Sequence, residues 1–495
     1  MYKRQNYNFS DRYLITGTIR SDGSSKFARG NQWGLFPSAS AAWRISEEAF
    51  VKDNTDFFQN LKLRVGYGTS GNNNIDNNMY STDYGSGHYA INGKDFITFI
   101  PGGTLGNRNL KWEKTTTNNV GLDVSIFNSR LNLSVDWYNN VSSNLLIKQK
   151  IPTSTGYSDQ YQNIGSIRNR GVEVVLNSTN IRTNDFTWTM DFNIAFNRSK
   201  VLDIYGDNSD TNSFIQDYES RMGFKIEKGK PMGQFYGLIY DGIYTTDDFE
   251  QVDAETYRLK DGIASLKGTD RNSVKPGDVK YKPIAGETDD AGNPVWSTND
   301  RTVIGNASPD FTGGWNNTFT YKGFDLNIFM NFSVGNDVFN MSTQRFVGPY
   351  LANQNSIGDM ANRFKLIDPL NGKECVNLTR LAELNPGQYS GDLMWNISGN
   401  NKTAISDHSS YYIENGSYLR LSTITLGYTL PKKLVQRAKI SNARVYCTMN
   451  NICTITGYTG YDPDVASSSS ALTPGIDNSS YPRSKSWVLG VNLTF

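Results

Sequence analysis

Apolar and polar residues alternate along many stretches of this chain. In residues 186–196 the even positions are apolar and the odd positions are mostly polar, and the same alternation fills 130–138, 324–334 and 487–495. A period of two residues places successive side chains on opposite faces of a β-strand. The pattern therefore predicts long strands, each with one apolar and one polar face.

Twelve strands are predicted, and the links between them alternate in length. The strands lie near 11–20, 35–45, 60–69, 112–127, 130–150, 161–179, 186–199, 311–321, 324–336, 416–430, 442–454 and 485–495. Short links at 128–129, 180–185, 322–323 and 431–441 alternate with long links near 70–111, 200–310, 337–415 and 455–484. Helical character is confined to a short segment at 431–438, where a proline suits a helix start. Outer-membrane barrels have this succession of short periplasmic turns and long extracellular loops.

Composition agrees with strands that lie in a membrane. The mean hydropathy is -0.53, and no apolar run approaches the ~18 residues of a spanning helix. Barrel strands keep the average low because they alternate apolar with polar residues. The apolar face is rich in aromatic residues, and the opposite face carries Asn, Asp, Ser, Thr and Gly rather than a charged mixture. The predicted fold class is all-β, a transmembrane antiparallel β-barrel, and a soluble all-β protein is the alternative.

Backbone hydrogen bonding determines whether such a sheet can have free edges. Lipid offers no partner to peptide N–H and C=O groups, so a sheet in the membrane must close on itself. The twelve predicted strands either close alone or form the C-terminal part of a larger barrel, in which case this fragment is an open or incomplete barrel. The sequence leaves both arrangements open.

The sequence contains little that would support catalysis or metal binding. The three cysteines (Cys375, Cys447 and Cys453) form no CxxC pair, and the two histidines, His88 and His408, are far apart in the chain. Net charge is +1, which does not indicate a nucleic-acid partner. We therefore expect no enzyme activity, no cofactor and no metal.

One acidic stretch resembles a calcium loop in composition only. The oxygen donors Asp289, Asp290, Asn293 and Asp300 lack the spacing of an EF-hand loop. A solvated acidic turn is the preferred interpretation.

Three aromatic residues in the long links are candidate substrate contacts. Trp395, Tyr411 and Tyr412 could stack on sugar rings or hold a peptide. Packing within the loops is the competing interpretation for each of them.

An ordered set of segments resembles the SusC/RagA family of TonB-dependent outer-membrane transporters from about residue 6 to the end. The matching segments are SDRYLITGTIRSDGSSKFA (10–28), LFPSASAAWRISEEAF (35–50), LKLRVGYGTSGN (61–72), NLKWEKTTTNNVGLDVSIF (109–127), RNRGVEVVLN (168–177), PGDVKYK (276–282), DRTVIGNASPDFTGGWNNTF (300–319), YIENGSYLRLSTITLGYTLP (412–431), GYDPDV (460–465) and WVLGVNLTF (487–495).

The resemblance implies a barrel of ~22 strands around a plug, with the plug and the TonB-contacting segment upstream of residue 1. It also implies a SusD-like surface lipoprotein as partner, energy from TonB–ExbB–ExbD, and import of oligosaccharides or peptides across the outer membrane of a Gram-negative bacterium. A passive porin-type channel is the alternative function.

Both termini carry further expectations. The first five residues, MYKRQ, match a reading frame of a sequencing-library adapter, so we expect 1–5 to be a non-native leader and 6–495 to be receptor barrel; a genuine internal start is the alternative. The last strand alternates apolar residues and ends in an aromatic ring, which resembles the signal read by the barrel-assembly machinery. Its residues are Trp487, Leu489, Val491, Leu493 and Phe495.

Overall fold

Thirteen strands form one large sheet in the computed structural model, which describes residues 2–204, 212–347, 353, 355–397, 408–465 and 467–495. Each strand pairs antiparallel with its sequence neighbours in the sheet. The strands are β1 (Tyr2–Phe9), β2 (Tyr13–Gly23), β3 (Trp33–Arg44), β4 (Phe58–Asn72), β5 (Glu113–Ile126), β6 (Leu131–Ser143), β7 (Ser166–Arg182), β8 (Phe186–Asp203), β9 (Phe311–Tyr321), β10 (Phe324–Val334), β11 (Tyr418–Thr429), β12 (Asn442–Thr456) and β13 (Ser486–Thr494).

All twelve predicted strands are present, and β1 adds one that the sequence pattern did not predict. β1 contains residues 2–5 of the expected leader, and Met1 lies outside the described residues. In the described part of the chain the sheet begins at β1 and ends at β13.

The short links have the backbone that tight hairpins require. Lys322 and Gly323, which join β9 to β10, both have positive φ angles, of 44° and 91°. Positive φ at both central residues is the signature of a two-residue turn that matches the twist of a hairpin. The predicted helical segment after β11 is confirmed, as an α-helix at Lys432–Val435 followed by a 3₁₀ turn at Gln436–Ala438.

The two faces of the sheet differ in chemistry, as the alternation predicted. On one face, called here the apolar face, Trp188 stacks on Phe319 with ring centroids 5.6 Å apart, and Phe192 stacks on Phe332 at 6.3 Å. Many apolar side chains on this sheet are exposed, such as Ile19, which is 58% exposed. A soluble sandwich would cover such a face with a second apolar layer.

The hydrophobic core lies in the long links rather than on the sheet. The links after β8 and β10 pack together as one unit, called here the loop domain (212–310 and the described part of 335–417). Its buried residues include Phe224, Phe235, Tyr281, Phe339 and Trp395. A smaller cluster joins Phe27, in the link between β2 and β3, to Ile75 and Leu110, in the link between β4 and β5.

The links contain only short elements. Their strands are Tyr84–Ile91, Lys94–Pro101, Thr104–Leu105, Leu146–Lys150, Asp159–Asn163, Ser213–Tyr218, Met222–Glu227, Gln234–Gly237, Tyr240–Ile243, Phe249–Gln251, Tyr257–Leu259, Ser265–Leu266, Val279–Tyr281, Val295–Trp296, Thr302–Asn306, Asp337–Asn340, Ile367–Asp368, Lys373–Glu374, Ile413–Asn415 and Ile476–Asp477. Their α-helices are Ala49–Lys52, Met341–Phe346 and Leu378–Leu384, and their 3₁₀ turns are Ile45–Glu47, Thr153–Thr155, Thr246–Asp248, Thr298–Asp300, Gly358–Asn362, Pro386–Tyr389 and Ser410–Tyr412. Among the residues described, no helix has both the length and the apolar character needed to span a membrane.

Candidate functional site

The face opposite the stacked aromatics, called here the polar face, is lined by amides and carboxylates joined across strands. Asn177 donates to Asp191 at 2.7 Å, Asn316 donates to the same carboxylate at 3.2 Å, and Asn327 donates to Asn316 at 2.8 Å. These four residues lie on four consecutive strands, β7 to β10. The chain thus provides a continuous hydrophilic wall, of the kind that lines a lumen.

An arginine on β4 extends this wall across two neighbouring strands. Arg64 forms two 2.8 Å hydrogen bonds with Asp123 on β5 and one of 2.9 Å with Asp136 on β6. The third strand is within reach because the intervening position is Gly121: a Cβ there would lie 2.6 Å from Arg64 Nη2. Two carboxylates around one guanidinium make a charge-assisted cluster with fixed geometry.

The same arrangement recurs near the C-terminus. Arg444 on β12 pairs with Asp325 on β10, with Nε and Oδ1 2.9 Å apart, past Gly427 on β11. Neither ion pair was predicted from the sequence. The available signal was a single arginine at an inward position of an alternating strand, but its partners depend on the register of three strands.

The candidate aromatic contacts occupy two different environments. Trp395 is 1% exposed and Tyr412 is 2% exposed, and both lie in the core of the loop domain. The Trp395 indole donates to the carbonyl of Val347 at 3.0 Å. Burial raises the pKa of the Tyr412 hydroxyl, which therefore stays neutral. Both rings are packing residues in this structure.

Tyr411 lies at the edge of that core and reaches a cavity. Its ring packs against Trp395 with centroids 4.8 Å apart, and the residue also lines a cavity of about 650 Å³. The cavity is lined by Asn340, Ser342, Thr343, Phe346, Ile357, Asp359, Tyr411, Glu414, Asn415, Gly457, Thr459, Gly460, Tyr461 and Asp477. Of the three aromatic candidates, only Tyr411 lines this cavity, and its contact with substrate remains a prediction.

A second cavity, of about 690 Å³, lies where the polar face meets the loops. Asn193, Asn331 and Ser333 contribute from the sheet, and Asp464 and Ser468 contribute from the link between β12 and β13. Both cavities, called here the rim cavities, combine amide, hydroxyl and carboxylate groups with a few apolar side chains, so each is suited to hold a polar ligand.

The acidic stretch near residue 290 forms local turns. Asp289 accepts hydrogen bonds from the backbone N–H groups of Ala291 and Asn293, and these bonds lower the pKa of its carboxyl group. Asp300 is fully buried and accepts from the backbone of Ala285 and Ser297. Within the described residues no group of three or more His, Cys, Asp or Glu side chains is arranged to hold a metal ion.

The apolar residues predicted as an assembly signal share one exposed row on the edge strand β13. Their exposed fractions are 72% for Trp487, 81% for Leu489, 60% for Val491, 48% for Leu493 and 85% for Phe495. The role of this row as a signal remains a prediction.

Comparisons with known proteins agree with this geometry. The family model described as TonB dependent receptor-like, beta-barrel matches residues 2–266. TonB-dependent receptor P3 of Formosa agariphila is 32% identical over 501 residues, which cover 100% of this chain and 45% of that protein. TonB-dependent receptor SusC of Bacteroides thetaiotaomicron is 32% identical over 504 residues, covering 100% of this chain and 43% of that protein.

A solved structure described as the RagAB peptide transporter superimposes with a TM-score of 0.75 at 25% identity. The match covers 100% of this chain and 47% of that chain. This chain thus spans less than half the length of these relatives. The similarity to SusC-like receptors inferred from the ordered segments is confirmed, and the family implies an outer-membrane location. The chain belongs to the TonB-dependent receptor family and forms part of its β-barrel.

Proposed function

We propose that this chain is the C-terminal barrel portion of a receptor that imports oligosaccharides or peptides across the outer membrane of a Gram-negative bacterium. The observation that carries the proposal is the contrast between the two faces of the sheet. An exposed apolar face suits contact with lipid, and the ion-paired polar face suits a hydrated lumen.

The relatives support the choice of partners. SusC and the RagAB peptide transporter support a two-component importer, in which a SusD-like lipoprotein acts with the barrel. TonB–ExbB–ExbD would supply energy through a plug and an N-terminal segment that belong to the remainder of the receptor. The barrel-assembly machinery would read β13 during insertion.

The chain's own residues would perform the passive part of transport. The polar face around Asp191 and Arg64 keeps the lumen hydrated. The loop domain lies at one end of the strands and contributes residues to both rim cavities. Because energy coupling acts on the plug, this chain alone should not support active uptake.

The test uses the complete receptor with its neighbouring lipoprotein gene, expressed in a host with and without tonB. Uptake of labelled oligosaccharide and peptide mixtures is measured. Import that needs tonB and the lipoprotein supports the proposal, and the labelled mixture that enters identifies the substrate class. Uptake that persists without tonB and follows the concentration gradient would instead show a porin-type channel.

A further inference from the structure

One arginine near the rim is almost fully buried. Arg420, the third residue of β11, is 2% exposed, and its Nε donates to Thr454 Oγ1 at 3.1 Å. Its two terminal nitrogens contact different carboxylates: Nη2 forms a close ion pair with Asp462, and Nη1 lies 3.3 Å from Asp464. A guanidinium can hold three acceptors at once because its donors form a rigid planar fork.

A β-bulge aims this side chain at its partners. Asn331 pairs with Arg420 and Met330 pairs with Leu421, but Phe329 pairs with Thr423, so Ser422 is an extra residue in β11. The bulge lets Arg420 point toward the polar face while the rest of the strand keeps its own alternation. The guanidinium carbon also lies 5.0 Å from the ring centroid of Tyr418, which adds a cation–π contact.

The two aspartates belong to the GYDPDV segment (460–465), one of the segments that carry the family resemblance. This segment opens the link between β12 and β13, whose described part is called here the C-terminal loop (457–465 and 467–485). The loop forms part of both rim cavities: Tyr461 lines the first, and Pro463 and Asp464 line the second. The position of this loop therefore contributes to the shape of both cavities.

We propose that Arg420, Asp462 and Asp464 form a clasp that holds the C-terminal loop against the barrel wall, and that Arg420 is thereby a positioning residue for substrate binding at the rim. The inference rests on the proposed transport function. Tyr461 directly precedes Asp462 in the chain, lines the first cavity and is 77% exposed, so the clasp fixes the backbone beside an aromatic ring that a ligand in this cavity could contact. Releasing the clasp would leave Asp462 buried without its main cation and loosen residues 460–465, while the rest of the loop stays held by contacts such as that of Thr459 with Glu414.

The chain offers a matched control for the clasp. Arg483 pairs with the same two aspartates, with Nη2 2.6 Å from Asp464 and Nε 3.6 Å from Asp462, but its side chain is 53% exposed. Arg420→Gln and Arg483→Gln thus each remove one cation from the same carboxylates. Removing one partner of an exposed ion pair costs little, whereas removing one partner of a buried pair leaves the other charge uncompensated, so only the first variant should release residues 460–465.

The first measurement is hydrogen exchange on the complete receptor in detergent. We expect Arg420→Gln to speed amide exchange in residues 460–465 by about tenfold or more, and Arg483→Gln to change it by less than about threefold. Arg420→Lys, which keeps the charge but not the fork, should give an intermediate rate. Unchanged exchange in Arg420→Gln would overturn the clasp.

The second measurement is the concentration dependence of uptake. Arg420→Gln should raise the half-saturation concentration while the maximal rate per assembled receptor stays near that of the wild type, and Arg420→Lys should restore part of the affinity. Faster exchange with an unchanged half-saturation concentration would show that the clasp has no positioning role. If Arg420→Gln does not assemble, both measurements are made on Arg420→Lys. If the wild-type receptor shows no tonB-dependent uptake, the proposed function fails while the exchange experiment still tests the clasp.

Discussion

Arg444 and Asp325 form an ion pair although they lie on strands that are not neighbours. The guanidinium passes over Gly427 of β11, where a Cβ would lie 2.4 Å from Arg444 Nη2 and 2.5 Å from Asp325 Oδ1. Arg64 reaches Asp136 in the same way past Gly121. On the polar face, a glycine on the middle strand thus gives an arginine room to form an ion pair between the strands on either side.

Gly427→Ala should therefore weaken the barrel locally. The new methyl group would displace the Arg444 guanidinium from Asp325, and we expect a loss of about 1–2 kcal/mol in the free energy of unfolding. Urea unfolding from lipid vesicles measures the change. Gly17→Ala on β2 is the control, because a Cβ there meets nothing within 4 Å, and it should be neutral or slightly stabilising. Equal effects of the two substitutions would contradict this role for Gly427.

Ile194→Arg and Asn193→Arg should separate the two faces of β8. Ile194 lies on the face of the stacked Phe192 ring, where an arginine in mid-bilayer costs about 2–4 kcal/mol. Asn193 lines the second cavity beside the polar wall, where a charge stays hydrated. We expect Ile194→Arg to impair folding into lipid vesicles and Asn193→Arg to be tolerated. Similar folding yields for both would contradict the assignment of the faces.

Periodicity predicted the strands well, because the alternation of apolar and polar residues in a strand depends only on the sequence of that strand. It missed β1, whose residues YKRQNYNF alternate poorly, and it merged β6 with Leu146–Lys150. That break occurs at Asn144, which has a φ of 55°. A positive φ at an asparagine does not change the pattern of polar and apolar residues, so periodicity could not predict it. The burial of Trp395 and the partners of Arg64 depend on tertiary packing and register, so no local pattern could reveal them.

Trp395→Ala should destabilise the loop domain rather than alter substrate selection alone. Removing a fully buried indole costs about 3–5 kcal/mol, and the carbonyl of Val347 would lose its donor. Hydrogen exchange across the loop domain should rise. Tyr389→Ala is the control, since that ring is 61% exposed and its removal should leave exchange nearly unchanged. A change in uptake with normal exchange in Trp395→Ala would instead favour direct substrate contact.

The turn between β3 and β4 should loosen in acid. Glu48 accepts hydrogen bonds from the Tyr13 hydroxyl at 2.6 Å, the Trp43 indole at 2.9 Å and Arg12 at 3.1 Å. These donors, Tyr13 foremost, hold the pKa of Glu48 below its ordinary value. A depressed folded-state pKa gives stability that is present above the unfolded-state pKa of about 4.3 and is lost as the pH falls through the folded-state value.

Exchange of the amides in 45–53 measures this effect between pH 7 and pH 3, after correction for the intrinsic pH dependence of exchange. Protection in the wild type should fall over the acid part of that range. Glu48→Gln should show lower protection at pH 7 and a flatter profile. A wild-type profile as flat as that of Glu48→Gln would contradict the role assigned to the carboxylate.

Phe495→Ala should impair assembly of the barrel without weakening barrels that have already assembled. Phe495 is 85% exposed and follows the last residue of β13, so its ring contributes little to packing within the chain. It ends the exposed apolar row that begins at Trp487. The assembly machinery would contact that row before the strand inserts into lipid. The membrane-inserted fraction of the complete receptor should therefore fall, while the unfolding midpoint of the inserted fraction stays at the wild-type value. Thr494→Ala is the control, because Thr494 is also exposed but lies outside the apolar row. Normal insertion of Phe495→Ala would contradict the role in recognition, and a lower unfolding midpoint after insertion would show that the ring acts in stability.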